Sequence, residues 1–171
     1  MEIQENFVNK VAASGLITLD LEDYYTKGER IQYDITDNLF QGLILREKDF
    51  REFVKTHDWS QYKDKNIAVF CSADAIVPTW AYMLLANKLR PFANEVVFGN
   101  LETLEAVLFT KALAAININD YKDERVVIKG CADFNVPITA YIQITNLLTP
   151  VVKSIMYGEP CSTVPIFKRK D

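Results

Sequence analysis

Asn66–Asn100 reads NIAVFCSADAIVPTWAYMLLANKLRPFANEVVFGN, and Arg125–Glu159 reads RVVIKGCADFNVPITAYIQITNLLTPVVKSIMYGE. A shift of 59 residues aligns the two without a gap, and ten of the 35 pairs are identical. The shared pattern is A-D-x-x-V-P-x-x-A-Y, then N-x-L-x-P, then G, so that Asp74 matches Asp133, Pro78 matches Pro137 and Tyr82 matches Tyr141. Common packing constraints would repeat apolar positions, but they do not by themselves repeat Asp, Pro, Tyr and Asn. We therefore read an internally duplicated unit with repeats at 66–100 and 125–159. Each copy opens on a short apolar run (IAVFC, RVVIKGC), continues through a proline-led helical stretch and closes on a second run (EVVFG, KSIMYG). Buried strand alternating with helix is the mark of βαβ crossovers and a parallel sheet. The expectation is an α/β fold with a mostly parallel open sheet, four of its strands supplied by the repeats.

Working outward, Leu101–Ile116 predicts a helix capped by Asn100, with Leu101, Leu104, Leu108, Ala112 and Ala115 on its apolar face. The other repeat helices are predicted over Thr79–Arg90 and Ile138–Thr149. Residues 1–65 predict an N-terminal βα segment beside the duplicated 66–165 half, all within a single domain of 171 residues. Its first element is a helix over 2–14 with Ile3, Phe7, Val8 and Val11 on one face. Leu16–Leu21 and Arg30–Ile35 alternate apolar with polar residues, as antiparallel strands with one wet face do, and 39–45 (LFQGLIL) reads as a third strand. Glu47–His57 reads as an amphipathic helix.

Open parallel sheets bind ligands outside the carboxyl ends of their strands. All three cysteines of the chain are predicted there: Cys71 ends the first repeat strand, Cys131 follows the third, and Cys161 lies in the turn-rich GEPCSTVP loop after the fourth. Three thiolates at one edge could hold an iron–sulfur cluster or a zinc ion, with a carboxylate, water or substrate completing the set. Their spacing matches no local zinc motif, and inert core thiols or a reactive thiol remain open alternatives. Asp74 and Asp133 sit at matching strand-to-helix corners, either as two carboxylates facing one crevice or as acceptors for backbone N–H groups at each turn. His57, the only histidine, falls on the apolar stripe of its helix and is expected to be packed and hydrogen-bonded. Tyr82 and Tyr141 are expected to pack their helices on the sheet, and Trp59 and Trp80 to be core or interface aromatics.

Composition narrows the partners. Lys and Arg number 19 against 23 Asp and Glu, so the basic surplus of a dominant nucleic-acid footprint is missing. No apolar run is long enough to span a bilayer, the start MEIQENFVNK has no signal-peptide core, and an odd cysteine count fits reduced thiols; together these predict a cytoplasmic protein without membrane insertion. No phosphate-loop, dinucleotide-binding, nucleophile-elbow or H-E-x-x-H motif is present, and six glycines leave little for a phosphate cradle, so no nucleotide is expected.

The stretches SGLITLDLEDYY, LFQGLILREKDFREFV, HDWSQY, CSADAIVPTWAYMLLA, FGNLETLE, VVIKGCADFNVP and KSIMYGEPCSTVP resemble the bacterial domain-of-unknown-function 2480 family, from about residue 8 to 168. That family has no established activity. Its members are often encoded beside sulfur-mobilisation genes, so the resemblance implies an accessory or client of iron–sulfur metabolism, with iron–sulfur assembly proteins as partners. It raises the metal-ligand reading of Cys71, Cys131 and Cys161. Two other classes stand beside it. A non-enzymatic interaction module with buried thiols predicts a large exposed apolar patch or a homodimer interface. A small-molecule enzyme using Asp74, Asp133 and Cys161 predicts a pocket that gathers those groups.

Overall fold

The computed structural model describes residues 15–130 and 133–170; the helix expected over 2–14 lies outside the described residues. Strands β1 (Leu16–Asp20), β2 (Arg30–Asp34), β3 (Asn66–Phe70), β4 (Glu95–Phe98), β5 (Arg125–Lys129), β6 (Ser154–Glu159) and β7 (Ser162–Lys168) alternate with helices α1 (Glu47–Thr56), α2 (Thr79–Leu89), α3 (Leu101–Ala114) and α4 (Ile138–Leu148). The described chain gathers into two compact units. One runs continuously over Thr26–Leu108; the other combines the residues up to Tyr25 with those from Phe109 onward.

Each unit has its own sheet, so the single sheet expected from the repeats is corrected to two. The continuous unit carries the parallel order β2-β3-β4, and the composite unit carries β1-β5-β6 in parallel with β7 antiparallel at the edge. The antiparallel reading of β1 and β2 is corrected as well. Leu16–Asp20 lies parallel beside Arg125–Lys129, and Arg30–Asp34 parallel beside Asn66–Phe70. Their alternating pattern comes from their places at the sheet edges, where one face stays wet. The expected strand at 39–45 is a tight loop closed by one antiparallel bridge, Phe40 to Ile44. Gln41 and Gly42 turn the chain there at φ of 53° and 69°, a region that a strand does not visit. The GEPCSTVP loop is a hairpin instead: Glu159 pairs with Ser162, leaving Pro160 and Cys161 as its two-residue turn.

Packing explains the apolar runs. In β3, Ile67 and Val69 face α1 and α2, while Ala68 faces the other way onto Leu104 and Leu108 of α3. A strand buried on both faces needs an uninterrupted apolar sequence. Phe109 and Leu113, farther along α3, belong to the core of the composite unit with Leu19, Val126, Ile128, Ile144 and Ile155. The expected apolar face of α3 is therefore corrected: Leu104 and Leu108 are buried, whereas Leu101 is exposed. Asn100 caps this helix as expected, its Oδ1 accepting the Thr103 N–H at 2.9 Å.

The units repeat each other at the 59-residue offset beyond the matched sequence. The Asp64 N–H donates to Phe92 O at 3.0 Å, and the Asp123 N–H to Val151 O at 2.9 Å. Both aspartates have φ of 60°. These are equivalences of geometry. Among the described residues, no helix is long and apolar enough to cross a membrane.

Candidate functional site

The carboxyl edge of β5 and β6 opens into a cleft of about 560 Å³. Its walls are Ile128 of β5, Val136, Ile138 of α4, Ile155 and Met156 of β6, and Ile166 of β7. Beyond these apolar walls, Tyr141, Thr145, Tyr157 and Asn135 supply the polar side chains of the lining. The local sequence builds this shape directly. Pro137 precedes α4, which begins with Ile138 facing out. The two-residue turn at 160–161 then returns β7 along β6 and sets Ile166 on the wall.

Gly130 forms the floor where β5 ends. Its φ of 153° suits glycine, and a Cβ there would lie 2.9 Å from Leu21 Cβ and 3.3 Å from the Tyr141 hydroxyl. That hydroxyl donates to the Gly130 carbonyl, tying α4 to the strand end. Tyr141 also meets Tyr157 edge-on with ring centroids 5.8 Å apart. The continuous unit holds the equivalent pair 59 residues earlier, Tyr82 and Phe98, at 5.2 Å.

A polar recess of about 250 Å³ adjoins the cleft and shares Gly130 and Tyr157 with it. Its other residues are Asp20, Glu22, Lys129, Gly158 and Glu159. Lys129 reaches Asp20 at 3.0 Å; that hydrogen bond and charge, reinforced by Glu159 and Glu22, push its pKa above the usual lysine value. Glu22 Oε1 accepts the N–H groups of Asp133 at 2.8 Å and Phe134 at 3.4 Å, while Tyr25 stacks on Phe134 at 4.0 Å. The segment just after β1 thus fixes the loop that enters α4.

In the continuous unit the corresponding loop is held by Asp34 and Thr36. Asp34 Oδ1 accepts the N–H groups of Thr36 at 3.0 Å and Ser72 at 3.1 Å, and Thr36 Oγ1 accepts those of Ser72 at 3.2 Å and Ala73 at 3.1 Å. Burial pulls the Asp34 carboxyl up, but the hydrogen bonds from Ser72 and Thr36 outweigh it and hold the pKa at about 2.

The residues singled out from sequence are distributed as follows. Cys71 is half-buried in the continuous unit, with its thiol donating to Ala73 O at 3.5 Å and lying 3.6 Å from Thr36 Oγ1. Cys161 is exposed in the β6–β7 turn of the composite unit, and Cys131 lies outside the described residues. The edge of one sheet therefore does not carry both Cys71 and Cys161. Among the described residues, no three His, Cys, Asp or Glu side chains come together as a metal-binding group. Asp74 is exposed in the continuous unit and Asp133 in the composite one, and neither lines the cleft or its polar recess.

His57 packs 4.7 Å from the rings of both Phe53 and Trp59, with Nε2 at 3.0 Å from Gln61 Nε2. Trp59 is buried and donates to Val54 O at 2.9 Å; Trp80 packs against Phe50. Sequence reasoning missed Asp20, Glu22, Tyr25 and Gly130. Placing Leu16–Asp20 parallel beside β5 would have brought the following LEDYY to the same carboxyl edge.

A family model described as a protein of unknown function (DUF2480) matches residues 5–169. The chain belongs to this family. No curated protein and no solved structure matches it. The DUF2480 chain thus brings no reaction with its family name, and the cleft has to be read from its own chemistry.

Proposed function

We propose that this DUF2480 chain is a binding module, and that the cleft at the carboxyl edge of β5 and β6 receives apolar side chains of a protein partner. The observation that carries the reading is the continuity of apolar surface from inside the cleft to its rim. Ile138, Phe134 and Ile166 of the lining are 72%, 43% and 52% exposed beside an interior of Ile128, Val136 and Ile155. An open patch of large aliphatic residues around a concavity fits a partner's side chains better than a solvated small molecule. Among the described residues, the lining offers two phenols, a threonine hydroxyl and an amide, and no thiol, imidazole or carboxylate for nucleophilic or acid–base work.

Nile red, a neutral apolar dye, tests the cleft. The dilute full-length chain should enhance its fluorescence with one saturable site. Ile166→Asp should abolish the enhancement while leaving the far-ultraviolet circular dichroism unchanged. An absent signal in the parent, or an equal signal in the variant, would sink the proposal.

A second reading rests on one observation. Gly130, which precedes Cys131, and Glu159, two residues before Cys161, line the same polar recess. That proximity along the chain supports a metal or iron–sulfur cluster held by Cys131 and Cys161; a set that also used Cys71 would draw on both units. Iron, zinc and sulfide content after oxygen-free purification tests it. The reading expects metal that is lost in Cys131→Ser and Cys161→Ser, and a metal-free parent contradicts it.

A further inference from the structure

We infer that the amino ends of β5 and β6, together with the outer strand β7, form a site for the phosphate group of a small phosphomonoester. This ground lies at the end of those strands away from the cleft. Strand register builds it. Arg125 of β5 sits opposite Ser154 of β6, and Ser154 opposite Lys168 of β7, so the three residues form one row across adjacent strands. Paired residues project from the same face of a sheet, with neighbouring Cβ atoms about 5 Å apart. The row thus sets a guanidinium, a hydroxyl and an ammonium side by side. Farther along the same strands Met156 pairs with Pro165 and supplies an apolar shelf.

A pocket of about 410 Å³ opens over this ground, and Lys153 and Phe167 complete its described lining. Arg125, Lys153 and Lys168 are all exposed, and among the described residues the lining holds no carboxylate. The excess of positive charge persists around the pocket. Residues 122–125, 153 and 168–170 comprise six cations and two carboxylates, Asp123 and Glu124, in a chain whose net charge is −4. Asp123 is itself paired with Arg169 at 2.6 Å.

The continuous unit carries the same row in a neutralised form. There Arg30 of β2, Asn66 of β3 and Glu95 of β4 stand in register, and Arg30 donates to both carboxylate oxygens of Glu105 in α3, at 2.5 and 3.1 Å. At the 59-residue offset Arg125 replaces Asn66 and Ser154 replaces Glu95. Strand β7 then adds Lys168, for which the three-stranded sheet has no counterpart. The composite unit has gained positive charge at this row and lost negative charge.

Chemistry selects the ligand. A phosphomonoester brings three terminal oxygens and a charge of about −1.5 to −2 at neutral pH, where a carboxylate brings two oxygens and one charge. The larger set matches a guanidinium fork, a point-charge ammonium and a hydroxyl together. Met156, Pro165 and Phe167 offer an apolar surface to the organic body that carries the phosphate.

Calorimetric titration of the full chain at low salt with phenyl phosphate, inorganic phosphate and benzoate tests the site. Phenyl phosphate should saturate one site, and more tightly than inorganic phosphate, which lacks the apolar body, or benzoate, which lacks the phosphate. Arg125→Gln and Lys168→Gln should each weaken its binding by about tenfold, the worth of one charge-assisted hydrogen bond. Lys55→Gln, which removes an exposed charge from α1 in the continuous unit, should leave it unchanged. Should Arg125→Gln lose the circular dichroism of the parent, Lys168→Gln on the outer strand decides alone. An absence of saturable phenyl phosphate binding, equal binding of either comparison anion, or equal weakening by Lys55→Gln overturns the inference.

Discussion

Asp34 ties the turn after β2 to the loop after β3 by accepting the Thr36 N–H and, together with Thr36 Oγ1, the Ser72 N–H. Its low pKa turns that role into a pH dependence. The unfolded chain binds the proton near the ordinary value of 3.8, and the folded chain near 2, so the stabilisation is complete above pH 4 and is lost as pH falls towards 2. Asp34→Ala should lower stability by about 1 kcal/mol at neutral pH, as the loss of a capping acceptor does. In urea melts the gap between parent and variant should narrow as pH drops from 4 to 2. A gap independent of pH would show that the carboxylate charge is irrelevant. Glu22 does the matching work in the composite unit from a different starting point, since it lies after β1 and accepts the Asp133 and Phe134 N–H groups.

Among the elements, α4 and the β6–β7 hairpin shape the cleft, and the Tyr141 hydroxyl fastens α4 to the end of β5. Tyr141→Phe leaves the buried Gly130 carbonyl without that donor and should cost about 1–3 kcal/mol in chemical denaturation. The helices were legible in the sequence from the amphipathic stripe of α1, with Phe50 and Val54 buried, and from the residues at which the chain enters α3 and α4. Asn100 before α3 and Pro137 before α4 sit where the chain enters each helix. Strand direction was not legible. Alternation at Leu16–Asp20 and Arg30–Asp34 reports that one face is wet, which an edge strand in a parallel sheet shares with an antiparallel one. LFQGLIL was misread because an apolar run carries no record of Gln41 and Gly42 at positive φ. The hairpin was missed because Pro160 and Pro165 look like loop residues; Pro165 instead occupies β7, the outer strand of its sheet.

At the scale of the whole molecule, the sequence repeat predicted one sheet and the chain builds two. A repeated βαβ unit specifies how its own strands pair, but not whether two copies share a sheet. Here each copy takes a different edge strand, β1 beside β5 and β2 beside β3. The Asp64 and Asp123 turns, just outside the matched stretches, and the Tyr82–Phe98 and Tyr141–Tyr157 pairs within them recur at the 59-residue offset. Leu85 and Ile144 are equivalent in this frame and both fully buried. Leu85→Ala and Ile144→Ala should each cost about 2–5 kcal/mol. Hydrogen exchange should show faster opening chiefly within the unit that carries the substitution, and equal acceleration in both units would contradict their separate cores. The candidate site was legible only as an edge: the carboxyl-end rule pointed to the ends of β5 and β6, while Cys71 and Cys161, two of the cysteines used to mark that edge, are not among the cleft's described lining.

The most direct test of the account is where an apolar probe attaches. The dilute full-length chain would be irradiated with a neutral alkyl diazirine and mapped by peptide mass spectrometry. The account predicts labelling concentrated on Phe134–Tyr141 and on Ile155–Ile166, reduced by Ile166→Asp. Labelling concentrated anywhere else, or unaffected by that substitution, would contradict the cleft as the binding site.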